Sequence, residues 1–182
     1  MSTAGTAMHY VSTLEEARKL IQGREQWWVS NCGCRESRGS CSRSRIDVCV
    51  LFVPSFPDSG SGTHAIGRDE IDAILKEAAG SGLVPRPFRD EARTAIAGVC
   101  FCCDDCCWYF KNRSEPCDKG ALIERTEMEL CSQCNACVDA CRFGARKSVD
   151  GILVVDRDEC FGCGVCATAC PVETCITMVA RD

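Results

Sequence analysis

The stretches "CSQCNACVDAC" at residues 131–141 and "CFGCGVCATAC" at residues 160–170 place their cysteines at identical spacing. Each is a C-x2-C-x2-C-x3-C run, and the two runs begin 29 residues apart. Repetition at this scale indicates two copies of one supersecondary unit. In each copy, three cysteines on a tight loop can face one metal site, while the fourth points away and reaches a second site. The spacing therefore predicts a region specialised for binding metal.

These eight cysteines, with Pro171 directly after the second run, closely resemble the pattern of bacterial two-cluster ferredoxins. The resemblance covers about residues 122–182, and only 18 residues separate Cys141 from Cys160. It implies a two-cluster ferredoxin fold over residues 118–182, two 4Fe–4S clusters, and a protein that relays single electrons between redox enzymes. Zinc bound by CxxC pairs is the alternative, but a zinc ribbon needs only four of the eight cysteines.

In that family each cluster takes three cysteines from one run and the fourth from the other. Carried over to this sequence, the resemblance implies that one cluster is bound by Cys131, Cys134, Cys137 and Cys170. It implies that the other cluster is bound by Cys160, Cys163, Cys166 and Cys141. The sequence departs from the family at Ser132-Gln133 and Asn135-Ala136, which replace glycines, and at Arg142, which replaces proline.

Nineteen cysteines in 182 residues is far above ordinary usage. Such a composition indicates either a secreted disulfide scaffold or an intracellular metalloprotein. The first 20 residues lack a basic start followed by an apolar segment, and several cysteines are too close in sequence to pair without strain. We therefore expect metal binding and a cytoplasmic location. The apolar runs are too short to cross a bilayer. Cys175 lies outside the ferredoxin pattern and is expected to be a small buried residue.

The charge of the chain is concentrated at its C-terminal end. The whole chain has a net charge of −5, and residues 121–182 contain ten acidic against six basic residues. This acidic part suits docking to a basic redox donor and acceptor, and it argues against a nucleic-acid surface there.

Residues 1–117 are predicted to form a small cysteine-rich α+β domain, so the fold class of the whole chain is expected to be α+β. "TLEEARKLIQ" at 13–22 predicts a helix capped by Thr13. "GRDEIDAILKEAAGSG" at 67–82 predicts a second helix. "WWV" and "IDVCVLFV" predict strands, "LVPRPF" a chain reversal, and "SEPCDKGA" a linker.

The remaining cysteines crowd into "NCGCR" and "VCFCCDDCC", a pattern that resembles the cysteine-rich N-terminal regions of some ferredoxin-like proteins of anaerobes. Adjacent thiols can serve a larger cluster more easily than one zinc ion, so we expect a further iron–sulfur cluster, with zinc as the alternative. The predicted ligands are Cys32, Cys34, Cys103 and Cys106. The alternates are Cys41, Cys49, Cys100, Cys102 and Cys107. Arginines between these cysteines would offset the negative charge of thiolates.

Three functions remain open at this point. The first is a pure electron carrier. The second is a small reductase or activase whose catalytic N-terminal cluster is supplied with electrons by the ferredoxin part. The third is a redox-responsive protein in which zinc orders a nucleic-acid-binding module.

Overall fold

A computed structural model gives the structure of residues 5–57, 59–112 and 115–181. A seven-stranded sheet organises the N-terminal part of these residues. Its strands are β1 (His9–Tyr10), β2 (Trp27–Ser30), β3 (Cys49–Leu51), β4 (His64–Ile66), β5 (Val84–Arg89), β6 (Ile96–Cys102) and β7 (Cys117–Asp118). The strand order is β4-β2-β3-β6-β5-β1-β7, and every neighbouring pair is antiparallel except β1 with β7.

Four helices of the described residues accompany the sheet: α1 (Leu14–Gln22), α2 (Gly33–Arg38), α3 (Arg68–Gly80) and α4 (Trp108–Asn112). The cap predicted for α1 is present, because Thr13 Oγ1 accepts a hydrogen bond from the Glu16 amide while the Glu16 carboxylate accepts one from the Thr13 amide. The predicted second helix is α3, and its apolar face is buried as expected. That face consists of Ile71, Ile74, Leu75 and Ala78. Helix α2 lies between the two predicted strands, in the segment that carries Cys34.

The two faces of β6 differ in character because side chains alternate along a strand. Val99 and Phe101 point toward α1 and α3 and belong to the main apolar core. Cys100 and Cys102 point to the opposite face, which is rich in thiols. The strand thus has the main apolar core on one face and a group of thiols on the other.

The segment "LVPRPF" was predicted to reverse the chain, but it forms strand β5 although it contains Pro85 and Pro87. Arg89, two residues further on, donates its amide to Met8, so the odd-numbered backbone nitrogens of β5 face the β1 side. Strand β1 is only two residues long. The prolines, which have no amide proton, therefore remove no bond to β6, where the pairing runs from Val84 to Arg89.

The C-terminal part contains two antiparallel strand pairs and two short helices. Its elements are β8 (Leu122–Thr126), a 3-10 turn (Met128–Leu130), α5 (Ala136–Ala140), β9 (Arg146–Val149), β10 (Ile152–Val155), α6 (Val165–Ala169) and β11 (Ile176–Ala180). β8 pairs with β11, and β9 pairs with β10. The chain is thus a mixed helix and strand protein, as the α+β prediction required.

The predicted linker contains a strand of the N-terminal sheet, because β7 pairs in parallel with β1. The two parts also share an apolar cluster, in which Val84 and Tyr109 lie with Phe143 and Val165. The division into domains at residues 117 and 118 stays a prediction. Within the described ranges, no helix combines the length and apolar character needed to cross a membrane.

Candidate metal centres

The first ferredoxin cavity, as we call it, is lined by three cysteines of the first run and one of the second. These are Cys131, Cys134, Cys137 and Cys170. Leu153 and Ile176 complete its apolar wall. The loop that presents the thiols ends at Asn135, whose positive φ of 64° immediately precedes α5. The first two cysteines therefore lie on a tight turn, Cys137 lies in the short helix α5, and Cys141 directly follows that helix.

The second ferredoxin cavity repeats this arrangement with the runs exchanged. Its cysteines are Cys141, Cys160, Cys163 and Cys166. Burial raises the pKa of Cys163 to about 12 and that of Cys166 to about 11. Thiols with such pKa values are protonated at neutral pH unless a metal ion displaces the proton. Phe143 and Phe161 stack beside this cavity with their ring centroids 4.4 Å apart.

A buried ion pair touches both cavities. The side chains of Arg146 and Glu124 are each only 1% exposed, and Arg146 Nη2 lies 2.5 Å from Glu124 Oε2. Arg146 Nη1 donates to Cys137 Sγ of the first cavity at 3.4 Å. Arg146 and Glu124 both line the second cavity. The guanidinium therefore brings a positive charge to the cysteines of both cavities.

Cys175 is 1% exposed and lines the first ferredoxin cavity. Its Sγ lies 3.7 Å from the carbonyl oxygen of Glu127. The residue is buried, as predicted.

Nine of the ten N-terminal cysteines, all but Cys117, fall into two groups rather than one. The first group, which we call the thiol trio, consists of Cys41, Cys103 and Cys106. Its Sγ atoms are 3.6 Å apart between Cys41 and Cys103, 3.3 Å between Cys103 and Cys106, and 3.5 Å between Cys106 and Cys41. Burial opposes ionisation of Cys41, but the Arg43 amide and the Arg35 guanidinium lower its pKa to about 7.

The second group lines a cavity of about 800 Å³, which we call the thiol cavity. Besides Cys106 of the trio, its cysteines are Cys32, Cys34, Cys49, Cys100, Cys102 and Cys107. Cys49 and Cys100 lie across β3 and β6 with their sulfurs 3.7 Å apart. Cys34, on α2, accepts a hydrogen bond from the Trp108 amide at 3.4 Å. The segments "NCGCR" and "VCFCCDDCC" therefore meet in space.

Each N-terminal group contains a buried arginine. Arg35 is one of the arginines between the cysteines that were expected to offset thiolate charge, whereas the sequence did not single out Arg86. Arg35 Nη2 lies 3.1 Å from the Phe101 carbonyl oxygen and 3.9 Å from Cys103 Sγ. Arg86 Nη1 lies 3.9 Å from Cys102 Sγ and 3.8 Å from Cys107 Sγ. The signal for Arg86 was its place inside an apolar run, "LVPRPF", where a charge needs a partner.

The four predicted N-terminal ligands are divided between the groups. Cys103 and Cys106 belong to the trio, whereas Cys32 and Cys34 line the thiol cavity. The reason is the alternation of β6, which sends Cys102 and the following Cys103 to different clusters. Strand β3 lies between β2, which contains Trp28, and β6, which contains Val99, so β2 and β6 do not pair with each other.

Comparison with known proteins identifies the C-terminal repeat. Residues 130–174 match the family model of the 4Fe-4S dicluster domain. They form a ferredoxin-type iron–sulfur domain.

Three relatives share such a segment. A selenate reductase subunit from Mesobacillus selenatarsenatis is 50% identical over 44 residues, which are 22% of this chain and 15% of the relative. A ferredoxin from Methanocaldococcus jannaschii is 48% identical over 45 residues, which are 24% of this chain and 30% of the relative. A tetrathionate reductase subunit from Archaeoglobus fulgidus is 39% identical over 46 residues, which are 24% of this chain and 22% of the relative.

The matched segments thus span less than a third of each of these relatives. No solved structure matches the chain significantly. The ferredoxin-type domain and the reductase subunits that share it support a role in electron transfer.

Proposed function

We propose that this chain is an electron-transfer protein that holds two 4Fe–4S clusters in residues 118–182 and relays single electrons between redox enzymes. The observation that supports this most strongly is that each ferredoxin cavity is lined by four cysteines of the two runs, three from one run and the fourth from the other, with Cys175 as a fifth cysteine at the first cavity. Four thiolates are the donor set that a 4Fe–4S cluster requires. When bound, such a cluster supplies a reversible one-electron couple.

The residues around the cavities fit that role. Leu153 and Ile176 at the first cavity, and Phe143 and Phe161 at the second, cover part of the cavity walls with apolar side chains, while Cys134 of the first cavity is exposed. Arg146 donates a hydrogen bond to one ligand sulfur and brings a positive charge to both cavities. Such bonds and charges favour the reduced, more negative form of a centre.

The acidic C-terminal part is the proposed docking surface for a basic donor and acceptor. Asp156, Asp158, Glu159 and Glu173 are all exposed there. Exposed charges of one sign raise the rate of encounter with oppositely charged partners. The many free thiols favour a reducing compartment, so we place this function in the cytoplasm.

We further propose that the thiol cavity holds an additional iron–sulfur cluster. Its volume of about 800 Å³ and its six non-trio cysteines support a polynuclear centre rather than a single ion. Arg86 provides a buried positive charge beside two of those sulfurs and offsets the charge of bound thiolates.

The thiol cavity also supports a second function, that of a small reductase or activase. A cavity of about 800 Å³ lies within the range that small-molecule sites occupy, and cationic Arg38 and Lys111 line it beside the cysteines. A change in the visible or EPR spectrum of the reduced chain on adding a substrate would favour this enzyme over a pure carrier. The candidate substrates to screen first are small oxyanions, because the lining is cationic.

The nucleic-acid function has less support, because three of the four arginines of the "CRESRGSCSRSR" segment pair with acids and the fourth, Arg35, is buried. Arg43 pairs with Asp104 at 3.0 Å, and Arg38 pairs with Asp105 at 3.3 Å. Arg45 pairs with Asp47 at 3.2 Å. A gel shift at physiological salt tests this alternative directly, and we expect no retardation.

The proposed cluster content is tested by iron and acid-labile sulfide analysis of the full chain purified without oxygen. Replacing Cys131 and Cys134 together by serine is expected to remove about four irons and four sulfides per chain. Cys175→Ser is the matched control, because Cys175 lines the same cavity but has no place in the proposed ligand set. Loss of iron in the control, or no loss in the double variant, would contradict the proposal.

A further inference from the structure

We infer that the thiol trio is a separate mononuclear site for a soft divalent metal ion, with zinc as its first candidate. The three Sγ atoms lie 3.3 to 3.6 Å from one another. Sulfurs bound tetrahedrally to one zinc ion at about 2.3 Å are about 3.8 Å apart, so the trio needs little movement to bind one ion. The cysteines of a 4Fe–4S cluster each bind a different iron atom, and their sulfurs must be much farther apart.

The buried guanidinium of Arg35 shows that this place is built for negative charge. Arg35 is 1% exposed, and its Nε and Nη1 atoms are buried without a hydrogen-bond partner among the described residues. Its electrostatic neighbours are the sulfurs of Cys41, Cys32 and Cys103. Arginine cannot lose its proton in a protein, and a buried unpaired charge is costly. Three thiolates around one divalent ion have a net charge of −1, which the charge of Arg35 balances.

The trio is held in place by ion pairs between its two supporting segments. The "DD" of "CCDDCC" pairs with the segment that presents Cys41: Ser42 donates its amide to Asp105 at 2.7 Å, and Arg43 Nε donates to Asp104 at 3.1 Å. The Arg43 amide in turn donates to Cys41 Sγ at 3.4 Å. Cys41 is therefore fixed over Cys103 and Cys106 although more than sixty residues separate them in sequence.

The fourth coordination position is not supplied by this group. Within the described part of the chain, no additional histidine, cysteine or carboxylate ligand atom lies within 4.8 Å of all three sulfurs. Three protein ligands and one exchangeable position are typical of reactive zinc sites, whereas structural sites have four protein ligands. The site therefore takes a water molecule or a small soft ligand such as a thiol. This inference is independent of the clusters proposed above, because none of their proposed ligands belongs to the trio.

The test is metal analysis and zinc-edge X-ray absorption of the full chain purified without oxygen in the presence of zinc. We expect one zinc per chain, with about three sulfur neighbours at about 2.3 Å. Cys41→Ser is expected to lose that zinc while iron and sulfide stay unchanged, and the unchanged iron also shows that the variant folds. Cys49→Ser, a cysteine of the thiol cavity, is the matched control and should keep the zinc.

Several outcomes would overturn the site. Retention of zinc by Cys41→Ser would do so, as would a fall of iron and sulfide in place of zinc, which would assign the trio to a cluster. The open position is tested by adding a small thiol to the cobalt-loaded chain. We expect the visible cobalt bands to shift, whereas an unchanged spectrum with four sulfur neighbours would assign the position to another cysteine.

The role of Arg35 is tested through zinc affinity measured against a chromophoric chelator. Arg35→Met is expected to weaken zinc binding tenfold or more, in the range of about 10 to 100-fold seen for residues that support metal ligands. Arg35→Lys keeps the positive charge and should bind zinc more tightly than the methionine variant. Equal affinities in the two variants would refute the charge balance.

Discussion

At the scale of single residues, three arginines in the described part of the chain are buried beside sulfur, and each belongs to a different thiol group. Arg35 faces the thiol trio, Arg86 the thiol cavity, and Arg146 the ferredoxin cavities. Arginine is rarely buried without an anionic partner. Arg146 has a fully buried carboxylate partner in Glu124, whereas Arg86 has the half-exposed Glu115, and the hydrogen bonds of Arg35 go to a carbonyl oxygen and a sulfur. Each cation thus lies where the thiolates of a proposed metal centre would bring negative charge.

The Arg146 and Glu124 pair predicts opposite shifts of reduction potential. Arg146→Met removes a hydrogen bond and a positive charge from Cys137, so the potential of the centre bound there is expected to fall. Glu124→Gln removes a negative charge and leaves Arg146 in place, so the potential is expected to rise. Breaking a buried pair costs about 3–5 kcal/mol, so both variants are also expected to be less stable. Protein-film voltammetry measures both shifts, and shifts of the same sign would contradict the electrostatic role.

At the scale of elements, the two cysteine loops share one backbone conformation although only the second contains glycine. Gly162 and Gly164 have φ values of 81° and 74°, and the residues 29 positions earlier, Gln133 and Asn135, have φ values of 58° and 64°. Asn tolerates this region better than most residues. Gln133 gains a compensating contact, because its Oε1 accepts a hydrogen bond from the Leu153 amide at 2.7 Å. The departure from the glycine pattern therefore does not change the loop.

A matched pair of glycine substitutions separates backbone strain from close approach. Gly144→Ala meets no atom within 4 Å, so it should cost only about 1–2 kcal/mol for the positive φ of 74°. At Gly162 a Cβ atom would collide with the backbone carbonyl oxygen of Leu122, the first residue of β8. Gly162→Ala should therefore cost several times more and reduce the iron content of the second cavity. Chemical unfolding and iron analysis of both variants measure the difference, and equal costs would rule out the collision.

Local patterns were enough to predict some elements but not others. Helices α1 and α3 followed from a cap and an apolar period, both of which are local. Strand β5 was missed because the two prolines look like breakers until the short β1 strand is known to lie on their side. The division of Cys102 and Cys103 between two groups depends on which face of β6 packs against the helices, and no local pattern contains that information.

At the scale of the whole molecule, an aromatic contact joins the ferredoxin part to the sheet. Phe110, close to the "CC" of residues 106 and 107, meets Phe143 edge to face with centroids 5.1 Å apart, and Phe143 stacks on Phe161. Arg142 pairs with Asp104 at 3.2 Å across the same contact. The thiol cavity and the second ferredoxin cavity are therefore adjacent through packed side chains, a placement suited to the exchange of electrons between centres.

The acidic part predicts how electron transfer depends on salt. The rate of reduction of a basic cytochrome by the reduced chain is expected to fall as ionic strength rises, because salt screens exposed charges. Asp158→Asn with Glu173→Gln should lower the rate several-fold and flatten its salt dependence. Glu91→Gln, an exposed acid on the N-terminal part, is the control and should leave both unchanged. A rate independent of salt would place docking on another surface.

Removal of iron is expected to unfold the two parts of the molecule to different extents. The apolar cluster of the first ferredoxin cavity consists largely of cysteines, with Leu153 and Ile176 as its main hydrocarbon side chains. Without metal, such a small core cannot offset the entropy of ordering the chain. The core of α1, α3 and β6, by contrast, is mostly aliphatic and aromatic. Hydrogen exchange after chelation of iron should therefore show rapid exchange of the β8 and β11 amides, while the amides of β6 and α3 stay protected. Continued protection of β8 and β11 in the iron-free chain would mean that the clusters are not the core of the ferredoxin part.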